Sequence, residues 1–138
     1  MKKLYFIISF LIFSCSENKV PIDIPTLSKY NIVSDYSDVA DTLNVYLNKT
    51  LGLTLEVSDK QKNRSIILIE KTDYNKDFIS INYKDSLITI SANNKTNLYY
   101  ATYDFIEKFL NVNWLSTDFT YYDDLKSINI PTNYSYFY

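Results

Sequence analysis

Hydrophobic positions along the chain follow two periods, and together they predict one small domain of helices and strands. Apolar residues recur at helical spacing over 37–51 and 96–110, whereas strict alternation over 78–83 and 87–92 predicts a hairpin. Further short apolar runs predict strands at 30–34, 53–57, 65–70, 112–115 and 127–130. The predicted order is β-α-β-β-β-β-α-β-β. We therefore expect an α/β (α+β) two-layer sandwich, a mixed β-sheet with two helices packed on one face.

The predicted helices carry their own end signals. Ser37 is a candidate N-cap for the first helix, and Gly52, the single glycine of the chain, falls where a left-handed residue would end it. Asn94 or Thr96 could cap the second helix, and Asn111 could end it. The four consecutive aliphatic residues within 65–70 are typical of a central strand covered on both faces.

The N-terminus carries a targeting pattern. Lys2 and Lys3 precede the apolar run Leu4–Phe13, which is shorter than the roughly 20 residues that span a bilayer. The sequence Ile12-Phe13-Ser14-Cys15 resembles the bacterial lipobox, in which the cysteine is acylated and becomes the mature N-terminus. We therefore predict a signal peptide over 1–14, lipid attachment at Cys15, and export to the bacterial cell envelope, at the outer membrane or cell surface. The alternative is a plain signal peptide with an incidental cysteine.

Composition limits the chemistry of the chain. Acidic residues outnumber basic ones, 16 to 14, and no basic cluster exists, so nucleic acid is not an expected partner. The chain has no histidine, one cysteine and one glycine, which excludes a Ser-His-Asp site, a histidine-ligated metal and a glycine-rich phosphate loop. We expect no cofactor and no metal. Asp123-Asp124 is the obvious carboxylate pair, but neighbours on an extended strand point to opposite faces, so a solvated turn is expected there.

Residues 16–28 contain two prolines and no sustained periodicity, and they predict an extended tether between the lipid and the domain. The domain itself is expected over 29–131. In the predicted second helix, the buried face would include Phe105, Ile106, Phe109 and Leu110, and Trp114 just beyond it is expected to join this core.

The segment from Leu98 to Leu115, LYYATYDFIEKFLNVNWL, resembles the signature of a non-catalytic domain that precedes the catalytic barrel of several glycoside hydrolases. These include the family 20 β-hexosaminidases, the family 67 α-glucuronidases and related lipoproteins of Bacteroidetes. The resemblance covers residues 29–131. Two positions depart from it: Asn93-Asn94 stands where glycines are usual, so that a positive φ would fall on asparagine, and Asn113 stands where an arginine is usual.

The resemblance implies an accessory domain of a carbohydrate-degrading lipoprotein that contributes no catalytic residue. A (β/α)₈ barrel takes about 250 residues, so the catalytic domain is not on this chain. Residues 132–138 resemble the strand that leads into such a barrel, and we expect a fragment or truncated form with a barrel as partner.

Two alternatives remain open. A stand-alone surface module could bind glycan through exposed aromatic side chains, with Trp114, Tyr121 and Tyr122 as carbohydrate-binding candidates and the 134–138 aromatic cluster beside them. The domain could also be a relic with no present activity.

Overall fold

The computed structural model describes residues 18–116 and 119–137. Within them, strands and helices follow in the order β1 (Lys19–Asp23), α1 (Ile24–Leu27), β2 (Asn31–Ser34), α2 (Ser37–Leu51), β3 (Glu56–Ser58), β4 (Ser65–Glu70), β5 (Phe78–Lys84), β6 (Leu87–Ala92), α3 (Lys95–Phe109), β7 (Val112–Ser116), β8 (Phe119–Tyr122), β9 (Ser127–Pro131) and β10 (Tyr134–Phe137).

The central sheet is mixed and has the strand order β10-β5-β6-β4-β2-β3. Strands β3, β2, β4 and β6 run parallel to one another. At one side of the sheet, β5 pairs antiparallel with β6, and β10 pairs antiparallel with β5. Ile32, Ile66 and Ile88 lie in one row across three strands and are fully buried beneath the helices. The predicted mixed sheet with α2 and α3 in a second layer is confirmed.

Only one face of the sheet is covered by the long helices. Along β4, Ile66 and Leu68 are buried, whereas Ile69, on the other face, is 40% exposed. The prediction that this strand is covered on both faces is therefore wrong. Four consecutive aliphatic residues do not reveal whether a second layer is present.

Local signals set the ends of the helices. Gly52 has φ 66° and ends α2, and Asn111 has φ 53° just after α3, both as predicted. Ser37 is the first helical residue, so the residue in the cap position is Tyr36. Asn94 caps α3 by accepting a 2.8 Å hydrogen bond from the backbone N–H of Asn97. The positive φ expected at Asn93-Asn94 is absent, and Asn94 is extended at φ −156°. Side-chain hydrogen bonds close the turn before α3 in its place.

The prediction of an extended tether over 16–28 is wrong for residues 19–27. Residues 19–23 form β1, which pairs antiparallel with β9, and Ile22 lies opposite Ile128. The next four residues form α1, capped by the Asp23 carboxylate, which accepts a 2.8 Å hydrogen bond from the Thr26 N–H. Ile22 and Leu27 belong to the buried core. The domain thus includes a segment that the sequence assigned to a linker.

The C-terminal residues also belong to the domain. Residues 134–137, which we expected only to lead into a barrel, form β10 at the edge of the central sheet, with Tyr134 opposite Ile81 and Phe137 opposite Phe78. Tyr134 and Tyr136 pack on the core. The described domain therefore runs beyond the predicted boundary at 131.

Candidate functional site

Two carboxylates, those of Asp123 and Asp77, accept hydrogen bonds that hold loops of the structure. Asp123 accepts hydrogen bonds from the Tyr121 hydroxyl at 2.6 Å and from Asn111 Nδ2 at 2.5 Å. The bond to Asp123 raises the pKa of the Tyr121 phenol. Asp77 Oδ1 accepts from Asn97 at 2.9 Å and also from Asn93. These contacts fix loops, as expected for the Asp123-Asp124 turn.

An aromatic cluster lies on the outer surface of the helical layer, and we call Tyr46, Tyr103 and Trp114 the tryptophan cluster. These residues come from α2, α3 and β7. The Trp114 ring meets both tyrosine rings edge-on, with centroids 5.8 Å from Tyr46 and 5.6 Å from Tyr103. Its indole N–H donates to the Tyr46 hydroxyl at 3.3 Å. The ring is thus held in one orientation by two other elements of the fold.

Trp114 is not part of the core, contrary to our expectation. It remains 36% exposed, and its neighbour Leu115 is 68% exposed. The reason is that β7 pairs only with β8 in a separate ribbon, and the outer surface of this ribbon has no covering layer in the described structure. Tyr46 and Tyr103, which hold Trp114, were not singled out in the sequence because their positions on two helices gave no sign that they would meet.

The three predicted carbohydrate-binding residues do not form one surface. In the register of β7 with β8, Val112 lies opposite Tyr122 and Asn113 lies opposite Tyr121. Because opposite residues of an antiparallel pair share a face, Tyr122 is on the side of Val112 and Trp114, and Tyr121 is on the other side. The structure therefore brings Trp114 together with tyrosines of the helices and separates it from Tyr121.

Charged and phenolic groups cluster where α2 and α3 begin. Lys95 Nζ lies 2.8 Å from Asp38 Oδ2 and 4.9 Å from the centre of the Tyr36 ring, and the Tyr36 hydroxyl donates to Glu70 at 2.8 Å. The hydrogen bond from Lys95, with a second from Tyr99, lowers the pKa of Asp38 to about 2. Every member of this cluster is paired within it, so it joins the two helices and offers no evident ligand site.

The surface of the described domain also has concave regions, one along α2 and another beside β9. One, of about 420 Å³, runs along the exposed side of α2 past Asp41, Val45 and Asn48. The other, of about 340 Å³, lies between the C-terminal end of α3 and the strand β9, and we call it the β9 pocket. Its lining includes Lys108, Phe109 and Asn129. It combines buried apolar groups with exposed polar ones.

The described residues contain neither a cluster of metal ligands nor a helix that could span a membrane. Within 18–116 and 119–137, no group of three acidic or other metal-ligating side chains is placed to hold an ion. No helix in these ranges is long and apolar enough to cross a bilayer. Cys15 lies outside the described residues, so its predicted acylation stays a prediction.

No family model matches the sequence, and no curated protein is significantly similar to it. Solved structures do share the fold. An exo-β-N-acetylglucosaminidase of glycoside hydrolase family 20 from Vibrio harveyi, in complex with N-acetylglucosamine, superposes with a TM-score of 0.53 at 16% identity over 88% of this chain and 17% of that one. The family 20 β-N-acetylhexosaminidase of Streptomyces coelicolor gives a TM-score of 0.51 at 16% identity over 82% of this chain and 23% of its own.

A Streptomyces plicatus β-hexosaminidase variant gives a TM-score of 0.51 at 15% identity, over 81% of this chain and 23% of that enzyme. In each comparison this chain spans less than a quarter of the enzyme's length. The chain therefore has the fold of one domain found in family 20 glycoside hydrolases, and the match does not extend over a whole enzyme.

Proposed function

We propose that the chain is a non-catalytic accessory domain of a membrane-anchored, carbohydrate-degrading lipoprotein. The fold comparison carries this proposal: most of this chain superposes on a small part of each enzyme, 88% on 17% in the Vibrio harveyi case. A domain that accounts for so small a share of a hydrolase fits a supporting role. A catalytic barrel, as a further domain or a separate chain, is its proposed partner.

The residues of this chain support a role without catalysis. Most glycoside hydrolases hold two carboxylates about 5–5.5 or 6.5–9.5 Å apart across the bond that is cut, and the substrate-assisted family 20 enzymes are an exception to this spacing. In the Asp123-Asp124 pair, Asp123 is engaged in a loop, where its carboxylate accepts hydrogen bonds from Tyr121 and Asn111. The domain would then contribute packing and positioning.

Two observations test this proposal. The nucleotide sequence that follows codon 138 is expected to encode a (β/α)₈ barrel, in frame or in the adjacent gene, and an unrelated gene there would contradict the proposed architecture. The purified chain is expected to release no fluorophore from 4-methylumbelliferyl N-acetyl-β-glucosaminide, while the Streptomyces coelicolor enzyme assayed in parallel does. Hydrolysis above the level of a buffer blank would contradict the non-catalytic role.

We further propose that acylated Cys15 attaches the protein to the cell envelope. More than one acyl chain gives stable membrane anchoring, and this attachment is independent of the fold behind it. Growth with radioactive palmitate is expected to label the wild-type protein, and Cys15→Ala should abolish the label. A label that persists in Cys15→Ala would contradict lipidation at this residue.

The tryptophan cluster supports a second candidate function, glycan binding. A half-exposed indole whose orientation is fixed by Tyr46 and Tyr103 can stack on the C–H face of a sugar ring with little loss of side-chain entropy. Trp114 is the only tryptophan, so the intrinsic tryptophan fluorescence of the protein reports on this site alone.

The test for this candidate is a fluorescence titration with soluble plant and host oligosaccharides. We expect a saturable change in emission that survives Tyr121→Ala, because Tyr121 lies on the other face of the hairpin. Tyr103→Ala should weaken the binding. No saturable change with any oligosaccharide would count against this candidate and leave the accessory role unaffected.

A further inference from the structure

The folded domain begins very close to the proposed lipid anchor. Asn18 is already fixed to the fold, because its backbone carbonyl accepts hydrogen bonds from the Thr132 N–H at 2.9 Å and from the Thr132 hydroxyl at 3.3 Å. Consecutive Cα atoms are about 3.8 Å apart, so the three steps from Cys15 to Asn18 span at most about 11 Å. A tether over 16–28 would have reached about 45 Å. A lipid on Cys15 would therefore hold the domain directly at the bilayer surface.

The anchor is attached at one particular edge of the central sheet. Tyr134 lies opposite Ile81 in the antiparallel pair of β10 with β5, so the chain before Tyr134, which includes Thr132, lies toward Lys84 at the end of β5. The first residues of β6, β4 and β2 lie side by side along the same edge. We call this side of the domain the anchor edge, and it comprises residues 18, 23, 28–30, 56, 59–64, 84–86 and 132–133.

A loop with three basic residues is held on the anchor edge. The Arg64 carbonyl accepts a hydrogen bond from the Asn31 N–H at 3.4 Å, and the Lys60 carbonyl accepts one from the Asn31 side chain at 2.9 Å. The exposed ionisable residues of the whole edge are five basic and four acidic ones, namely Lys29, Lys60, Lys62, Arg64 and Lys84 against Asp23, Glu56, Asp59 and Asp85. The anchor edge thus has no excess of negative charge, although the chain as a whole is acidic.

The opposite edge of the sheet is acidic. The parallel strands β2, β4 and β6 end there, and we call residues 35–38, 70–77 and 93–95 the far edge. Its ionisable residues are five acidic and three basic ones, namely Asp35, Asp38, Glu70, Asp73 and Asp77 against Lys71, Lys76 and Lys95. Anionic lipid headgroups attract basic segments within a Debye length and repel acidic ones. Charge and the position of the anchor therefore favour the same orientation.

We propose that acylation of Cys15 docks the domain on the bilayer through the anchor edge, with the loop 59–64, Lys84 and the β9–β10 turn at the lipid headgroups and the far edge directed away. The inference rests on the proposed lipidation and goes beyond it. A lipid on a long flexible tether would leave the domain free to turn, whereas the hydrogen bonds between Asn18 and Thr132 fix which side of the domain meets the membrane.

The experiment uses residues 15–138, which keep every described residue. The thiol of Cys15, the single cysteine of the chain, is coupled to a maleimide-headgroup lipid in phosphatidylcholine nanodiscs. A second lipid that carries a spin label on its headgroup broadens nearby amide signals in ¹H–¹⁵N correlation spectra. We expect loss of the signals of Lys60, Lys84 and Thr132, while those of Asp35 and Asp73 remain. Because the coupling is chemical, this result does not depend on acylation in cells, which the palmitate experiment tests separately.

A linker variant is the control for the short spacing. Twelve Gly and Ser residues inserted between Ser16 and Glu17 add a flexible segment with a root-mean-square length of about 20 Å. We expect the difference between the two edges to disappear in this variant. Equal broadening at both edges of the parent protein, stronger broadening at the far edge, or an undiminished difference in the linker variant would each overturn the inference.

Charge reversal tests the contact with the headgroups. In nanodiscs that contain phosphatidylglycerol, Lys60→Glu with Lys84→Glu is expected to restore part of the Thr132 amide signal, because the anchor edge is then repelled from the anionic surface. The matched pair Lys71→Glu with Lys76→Glu, on the far edge, should leave the Thr132 signal as weak as in the parent protein. All four lysines are exposed, so the fold is expected to be kept. An unchanged Thr132 signal in the first pair would contradict the proposed contact.

Discussion

Replacing Ile22 by alanine tests whether β1 is part of the fold. Ile22 is 4% exposed and lies opposite Ile128 in the β1–β9 pair. The change removes three carbons, and at about 0.8 kcal/mol for each buried CH₂ the transfer term alone is about 2.4 kcal/mol. A cavity that does not collapse adds to this, so we expect a loss of about 2–5 kcal/mol in the free energy of unfolding. Such a loss is a large share of the 5–15 kcal/mol typical of a domain.

The assay is urea unfolding followed by circular dichroism, on residues 15–138 with Cys15→Ala in both proteins. The midpoint should fall while the slope of free energy against urea stays the same, since the variant changes stability and not the surface exposed on unfolding. Ile69→Ala is the matched control, because Ile69 is 40% exposed on the open face, and we expect it to cost no more than about 1 kcal/mol. An Ile22→Ala midpoint equal to that of the parent protein would refute the inclusion of β1 in the domain.

Three further substitutions test other contacts by thermal or urea unfolding. Gly52→Ala should lower the free energy of unfolding by about 1–2 kcal/mol. Nothing lies within 4 Å of an added Cβ, so this loss reflects only the strain of alanine at φ 66°, and Gly52→Asn should lose less. Asn31→Ala should lower the free energy of unfolding by about 1–3 kcal/mol. The buried Asn31 side chain accepts a 2.6 Å hydrogen bond from the Ser65 hydroxyl, and the substitution leaves that buried hydroxyl without this acceptor. An unchanged unfolding midpoint would mean that water takes the place of the Asn31 oxygen. Asp38→Asn should lower the melting temperature at pH 7 and leave it unchanged near pH 2. The reason is that the pKa of the Asp38 carboxyl is lowered from 3.8 to about 2, so the carboxylate stabilises the fold above about pH 4 and loses this effect as the pH falls to 2. An equal change in melting temperature at both pH values would contradict the ion pair with Lys95.

The two prolines of the N-terminal segment show why sequence reasoning failed there. Pro21 lies in β1, which has β9 as its single neighbour, so the missing N–H of the proline can face away from the ladder at no cost. Pro25 lies in the first turn of α1, where a backbone N–H has no helical partner in any case. Each proline is compatible with regular structure at its own position, but the sequence does not show which position that is.

The candidate sites were predicted only in part. Trp114 was singled out because of its residue type, yet its partners Tyr46 and Tyr103 lie on two different helices, and α2, which carries Tyr46, is separated from β7 by several elements. The β9 pocket was not foreseen at all. Lys108, Asn111 and Asn129 are ordinary surface residue types at unremarkable spacing, and no local signal indicates that the end of α3 and the strand β9 leave a concavity between them.

The elements whose signals are local could be predicted from the sequence. The periodicity and the single glycine set α2 at Ser37–Leu51, and alternation on both sides of a short turn set the β5–β6 hairpin. Contacts between distant segments set three other features: the pairing of β1 with β9, the place of β10 at the sheet edge and the exposure of Trp114. The physical reason is that a hydrophobic period reports which face of a segment is apolar, whereas burial depends on whether a distant segment covers that face.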